Sequence, residues 1–116
     1  MEEPIKPAIS FENFQLLDIR VGIIIAAVDF SKANKPAYQL IIDFGVLGRK
    51  QSSAQITHLY SKEALLGKQV VAVVNFPPRQ IANFISEVLV LGVLSANGNV
   101  VLLQPERALP NGSAVQ

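Results

Sequence analysis

Few residues in this chain are of types that could make or break bonds. There is one histidine, His58, and no cysteine. Disulfides, thiol nucleophiles and thiolate zinc sites are therefore out, and no second imidazole is available for a metal site or a Ser-His-Asp triad. Asp29, Asp43, Glu63 and Glu87 are scattered, with no pair at a spacing that points to a catalytic dyad. A carboxylate pair assembled only by the fold stays open. The expectation is a protein that is not an enzyme, with no metal and no cofactor. His58, in "QITHLYSKEA", reads as a surface or capping residue.

What the sequence does offer is hydrogen bonding and charge. The segment "GRKQSSAQIT" (48–57) is polar between two strongly apolar runs, "YQLIIDFGVL" and "QVVAVVNF". It brings Arg49, Lys50, Ser52, Ser53 and Gln55 together within one strand length. A second set, Asn75, Phe76, Arg79, Ser86 and Glu87, surrounds a Pro-Pro wedge in "VVNFPPRQIANFISEVLVLG" (73–92). These side chains suit the binding of phosphates, acidic groups or polypeptide main chain. Net charge is only +1, yet residues 49–79 carry Arg49, Lys50, Lys62, Lys68 and Arg79 against Glu63 alone. That imbalance is either a modest basic patch or a solvated face.

The elements that must hold these residues follow from pattern. At 116 residues, 50% hydrophobic and 16% charged, the chain reads as one well-buried domain, 1–116. No apolar run approaches the roughly 18–20 residues of a membrane-spanning helix. "MEEPIKPAIS" lacks the apolar core of a secretory signal, so a cytoplasmic location without membrane insertion is expected. Ser10 can cap a short helix whose Phe11, Phe14 and Leu17 share a face that needs cover, from the domain body or a second subunit. "RVGIIIAAVDF" (20–30) is a long strand, with Gly22 as a bulge or a closely approached position. "YQLIIDFG" alternates as a second strand, and the polar segment makes a third. Ser61 and Gly67 bracket a short helix. "KQVVAVVNF" (68–76) is a buried strand stopped by Pro77 and Pro78. "EVLVLGVL" and "VVLLQ" form a hairpin about Asn97-Gly98. About five main strands, with one helix between the third and fourth, predict an all-β fold. Its form is a five-stranded Greek-key OB barrel with a short N-terminal helix.

In such a barrel the second and third strands often face the ligand. Alternation puts Lys50, Ser52, Ala54 and Ile56 on one face of the third strand and Arg49, Gln51, Ser53 and Gln55 on the other. The smaller set can turn inward. The pattern alone does not choose the open face, nor does it separate a binding strand from an edge kept polar against aggregation.

"LDIRVGIIIAA" with "VNFPPRQIANFISEVLVLG" resembles the tRNA-binding domain family. "IIDFG", "KQSSAQIT", "VVNFPPR", "SEVLVLG" and the terminal "VVLLQP…PNG" are similar to its subgroup of CsaA-type secretion chaperones. The resemblance runs from about Phe14 to the C-terminus. It implies an OB fold and a homodimer, with the N- and C-terminal segments, including residues 1–17, at the subunit contact. It also implies cytoplasmic binding of unfolded or export-destined polypeptides in partnership with the preprotein export ATPase. "GVLGRK" (45–50) lacks the Walker spacing, so holding would be ATP-independent.

The alternative within the same family is tRNA binding. RNA-binding relatives carry basic residues after the Pro-Arg pair and a Met soon after the Ser. Gln80, Asn83 and Val88-Leu89 depart from that pattern, and "RKQSSAQIT" replaces an Arg-x-Ile-Val-Ser-Gly pattern. Any tRNA binding is expected to be weak. An oligosaccharide-binding or purely structural dimer module is a third reading, because OB folds host many ligands.

Overall fold

The computed structural model describes residues 3–116. Ser10 opens helix α1 (Phe11–Gln15), its hydroxyl accepting from the Asn13 N–H at 3.2 Å. Strands β1 (Ile19–Asp29), β2 (Tyr38–Asp43) and β3 (Arg49–Ala54) follow as an antiparallel meander. Helix α2 (Lys62–Leu65) starts at Ser61, whose hydroxyl accepts from the Ala64 N–H, and ends before Gly67 at φ 85°. Strands β4 (Gln69–Val73), β5 (Arg79–Ile81), β6 (Phe84–Ser86), β7 (Leu89–Val90), β8 (Gly92–Leu94) and β9 (Val100–Leu102) complete the chain. The main sheet runs β3-β2-β1-β4-β7, all antiparallel, and β5-β6 and β8-β9 are separate hairpins.

β1 is long because it serves two partners. Its first half pairs with β4 and its second half with β2. The register slips between Ile24 and Ala26, and this bulge bends the strand. Gly22 is therefore the closely approached position rather than the bulge: a Cβ there would stand 2.7 Å from the Phe44 ring. The free edge of the first half is taken by the C-terminal tail. The N–H of Gly112 donates to Val21 O at 2.7 Å, and that of Val115 to Ile19 O at 2.8 Å. β4 is shorter than the expected 68–76, although the ladder carries on in register for one more bond, from the Val74 N–H to Asp18 O at 2.8 Å.

The five-stranded sheet curls into a nearly closed barrel, the OB fold. Ile24, Leu40, Ile42, Phe44, Val70 and, from α2, Leu65 are fully buried within it. Outside the core, Lys62 donates to Asp29 at 2.8 Å, an exposed pair whose hydrogen bond and charge raise the lysine's pKa.

The β5-β6 hairpin has no turn signal in its sequence. Its two-residue link, Ala82-Asn83, holds Ala82 at φ 51°. An L-residue in that region is strained by about 1 kcal/mol relative to glycine. Ala82→Gly should raise the melting temperature by roughly 3–5 °C in calorimetry; a decrease would show that the turn is not strained.

Candidate functional site

Barrel closure makes the site. The Glu87 N–H donates to Gln51 O at 2.8 Å, and the Gln51 N–H donates to Glu87 Oε1 at 3.0 Å. The Ser53 N–H donates to Ser86 Oγ at 3.1 Å. The edge of β3 that faces away from β2 is thus met by one main-chain bond from Glu87 and by the side chains of Ser86 and Glu87, with no ladder beyond. Gln51 Nε2 also donates to Ile85 O at 2.7 Å, which fastens the β5-β6 hairpin to β3.

Beside this seam lies a groove of about 500 Å³. One wall is the end of β3 and the residues after it, Ser53, Ala54, Gln55 and Ile56. Phe76, Pro77, Arg79 and Ile81 supply the wedge side. Residues 86–90 with Val100 and Leu102 complete it. Phe76 is 44% exposed and Leu89 50% exposed, so both present apolar surface to the groove. Arg79 is the only cation on the lining, and among the described residues it makes no ion pair.

Of the sequence-predicted residues, Ser53, Gln55, Phe76, Arg79, Ser86 and Glu87 come together here. Four do not. Ser52 is fully buried, and its single O–H is shared between the carbonyls of Val88 and Ser53, each 3.1 Å from Oγ. As a contact residue it is corrected: alternation turns it into the barrel, where its one donor is already engaged. Asn75 accepts from the Asp18 N–H at 2.9 Å and donates to Leu16 O at 2.8 Å. Both ends of its amide therefore clasp the N-terminal segment to the end of β4, and none of it reaches the groove. Arg49 and Lys50 sit at the far end of β3, opposite Asp43 and Ile42. Lys50 borders a smaller cavity with Asp18, Phe44, Leu47 and Val74 instead.

Sequence reading missed the apolar lining, namely Ile56, Ile81, Val88, Val90, Val100 and Leu102. Only the weak β-signal of "VVLLQ" pointed to the last two, since any short Val/Leu run can be core. Phe11, Phe14 and Leu17 were expected to need cover, and no residue of α1 is buried. Phe11 is 64% exposed and stacks only on Phe14, with ring centroids 6.3 Å apart. Ile9, Leu16, Val93, Leu94, Val101 and Leu103 are exposed as well.

Chemically, the lining offers apolar contact from Phe76 and Leu89, hydroxyls from Ser53 and Ser86, and charge from Arg79 and Glu87. His58 is exposed and outside the groove. No group of three or more His, Asp or Glu that could hold a metal occurs among the described residues. No helix among them is long and apolar enough to cross a membrane.

Comparison with known proteins agrees with this geometry. The family model described as "Putative tRNA binding domain" matches residues 19–114. The structure of chaperone CsaA from Bacillus anthracis str. Ames superposes with a TM-score of 0.91 at 55% identity, covering 95% of this chain and 100% of that one. The CsaA chaperone of Picrophilus torridus gives 0.88 at 54% identity, covering 94% and 100%. Methionine–tRNA ligase of Chlorobium chlorochromatii is 40% identical over 111 residues, 96% of this chain. The chain spans only 16% of the length of that ligase. The likenesses found are thus to CsaA chaperone structures and to a short part of methionine–tRNA ligases. The chain belongs to the tRNA-binding domain family, and within it to the CsaA type.

Proposed function

We propose that this chain is an ATP-independent holding chaperone that binds unfolded or export-destined polypeptides in its groove. It works in the cytoplasm as a homodimer, with the preprotein export ATPase as its partner. The observation that carries this reading is the groove's lining. It is mostly aliphatic and aromatic, with Phe76 and Leu89 open to solvent and Arg79 as its only cation. Unfolded polypeptides have in common apolar side chains and main-chain amides, and such a surface serves both. A phosphate backbone calls for a basic track, and the other candidate cations, Arg49 and Lys50, lie away from the groove.

Weak tRNA binding is the second reading, favoured by the family match and by the likeness to methionine–tRNA ligases. The two are separated by titrating a reduced, unfolded model protein and total tRNA in parallel at near-physiological salt. Suppressed aggregation with weak tRNA binding supports the chaperone. Tight, salt-resistant tRNA binding with no effect on aggregation overturns it. With about four phosphate contacts, tRNA affinity should fall roughly 50-fold between 50 and 200 mM salt. Arg79→Ala should lower the slope of log K against log salt by about 0.7, read from filter binding across a salt series. An unchanged slope would remove Arg79 from the phosphate contacts.

The exposed face of α1 and the exposed β8-β9 residues are the motive for the dimer. Deleting residues 1–17 should shift the protein toward monomer by at least tenfold in dissociation constant, measured by sedimentation. An intact dimer would refute the role given to that segment.

A further inference from the structure

The groove borders a piece of main chain that has no strand to pair with. β3 pairs with β2 such that Ala54 lies opposite Tyr38 and Ser53 opposite Gln39. The bonds of Gln51 and Ser53 to Glu87 and Ser86 show that odd-numbered residues direct their N–H and C=O groups away from β2. Gln55 continues that parity. It is exposed, it lines the groove, and neither its N–H nor its C=O has a partner among the described residues. Ser53, one pleat earlier, is satisfied only by hydroxyls: its N–H by Ser86 Oγ and its C=O by Ser52 Oγ, both at 3.1 Å. Hydroxyls rotate and exchange partners readily, so a main-chain group can replace them.

An open strand edge beside an apolar groove is the arrangement in which a peptide adds as a strand. Main-chain bonds then give affinity for any sequence, and alternate side chains enter the pocket. We propose that the groove takes an extended segment of unfolded polypeptide as an added β-strand, hydrogen-bonded to the main chain of Ser53 and Gln55. Its alternate aliphatic side chains rest on Ile56, Val88, Val90, Val100 and Leu102. This rests on the polypeptide-binding reading and specifies what that site recognises: extended conformation with apolar residues at every second position. RNA has no N–H and C=O groups at strand spacing, so this edge does not serve it.

The test uses the intact protein and a labelled, soluble heptapeptide with valine at alternate positions, in fluorescence anisotropy. N-methylation of one alternating set of peptide nitrogens should weaken binding at least tenfold. Methylating the other set should change it less than threefold. The sensitive set is the one whose N–H groups face β3. As an independent arm, Gln55→Pro removes an N–H that the protein itself does not use, next to a residue already extended. It should weaken the unmodified peptide at least tenfold with an unchanged circular dichroism spectrum.

Equal affinity for both methylated sets overturns strand addition, and so does wild-type binding by folded Gln55→Pro. Continued suppression of client aggregation would then leave the polypeptide reading standing. Binding of neither peptide nor unfolded client, with tRNA still bound, would overturn both. Should Gln55→Pro fail to fold, the methylated peptides decide the matter alone.

Discussion

Replacing Phe76 with serine and Leu89 with threonine together should abolish client holding while the barrel stays folded. Both side chains line the groove, and they are 44% and 50% exposed in the free chain. A bound polypeptide would cover most of that remaining area. At about 25 cal/mol per Å² the pair stands to contribute about 3 kcal/mol of contact, roughly a hundredfold in affinity. The folded state loses less, because half of each side chain was never buried, and threonine suits a strand position such as that of Leu89. The expected readout is light scattering of a refolding client at the level of the protein-free control. The variant should melt within several degrees of the parent. Undiminished holding by the folded double variant would move the client off this groove.

The largest effect on stability should come from adding a single methyl group. Gly22→Ala places a Cβ 2.7 Å from Ile42 Cγ2 and from two ring carbons of Phe44. Both neighbours are completely buried, so neither can swing into solvent. Alanine ordinarily favours a strand interior over glycine by about 0.5–1 kcal/mol, so local propensity predicts a gain. Overpacking in a rigid core, about 2–3 kcal/mol, opposes it and wins. The melting temperature should drop by roughly 8–10 °C. A rise would mean that the Phe44 ring has room that the packing denies.

Local signals in the sequence carried much of the fold. Ser10 and Ser61 cap the helices they precede, and Asn97-Gly98 turns the β8-β9 hairpin. The alternation of β3 holds as well: Ser52, Ala54 and Ile56 face inward, Arg49 and Gln55 outward. These are choices made within a few residues, where capping and period-2 patterning act.

The candidate site was only partly legible, because its determinants are contacts between distant segments. Ser52 is engaged by Val88, 36 positions away, and Asn75 by Leu16 and Asp18. Polar residue type alone could not tell such internal fasteners from ligand contacts. Val100 and Leu102 entered the groove's lining only when β9 folded back against the barrel. The β5-β6 hairpin was hidden for another reason: its turn uses Ala82 where a glycine would have announced it. The split of "EVLVLGVL" into β7 and β8 was likewise unmarked, since both halves are equally apolar.

The central claim is that one groove beside the polar strand receives unfolded polypeptide. Amide chemical shifts of the isotope-labelled protein, recorded while an unfolded client peptide is added, test it most directly. The expected shifts fall at Ser53–Ile56, Phe76, Arg79 and Ser86–Val90, and leave Arg49 and Lys50 unmoved. Shifts confined to the Arg49–Lys50 end, or a groove that responds to tRNA and not to peptide, would contradict it.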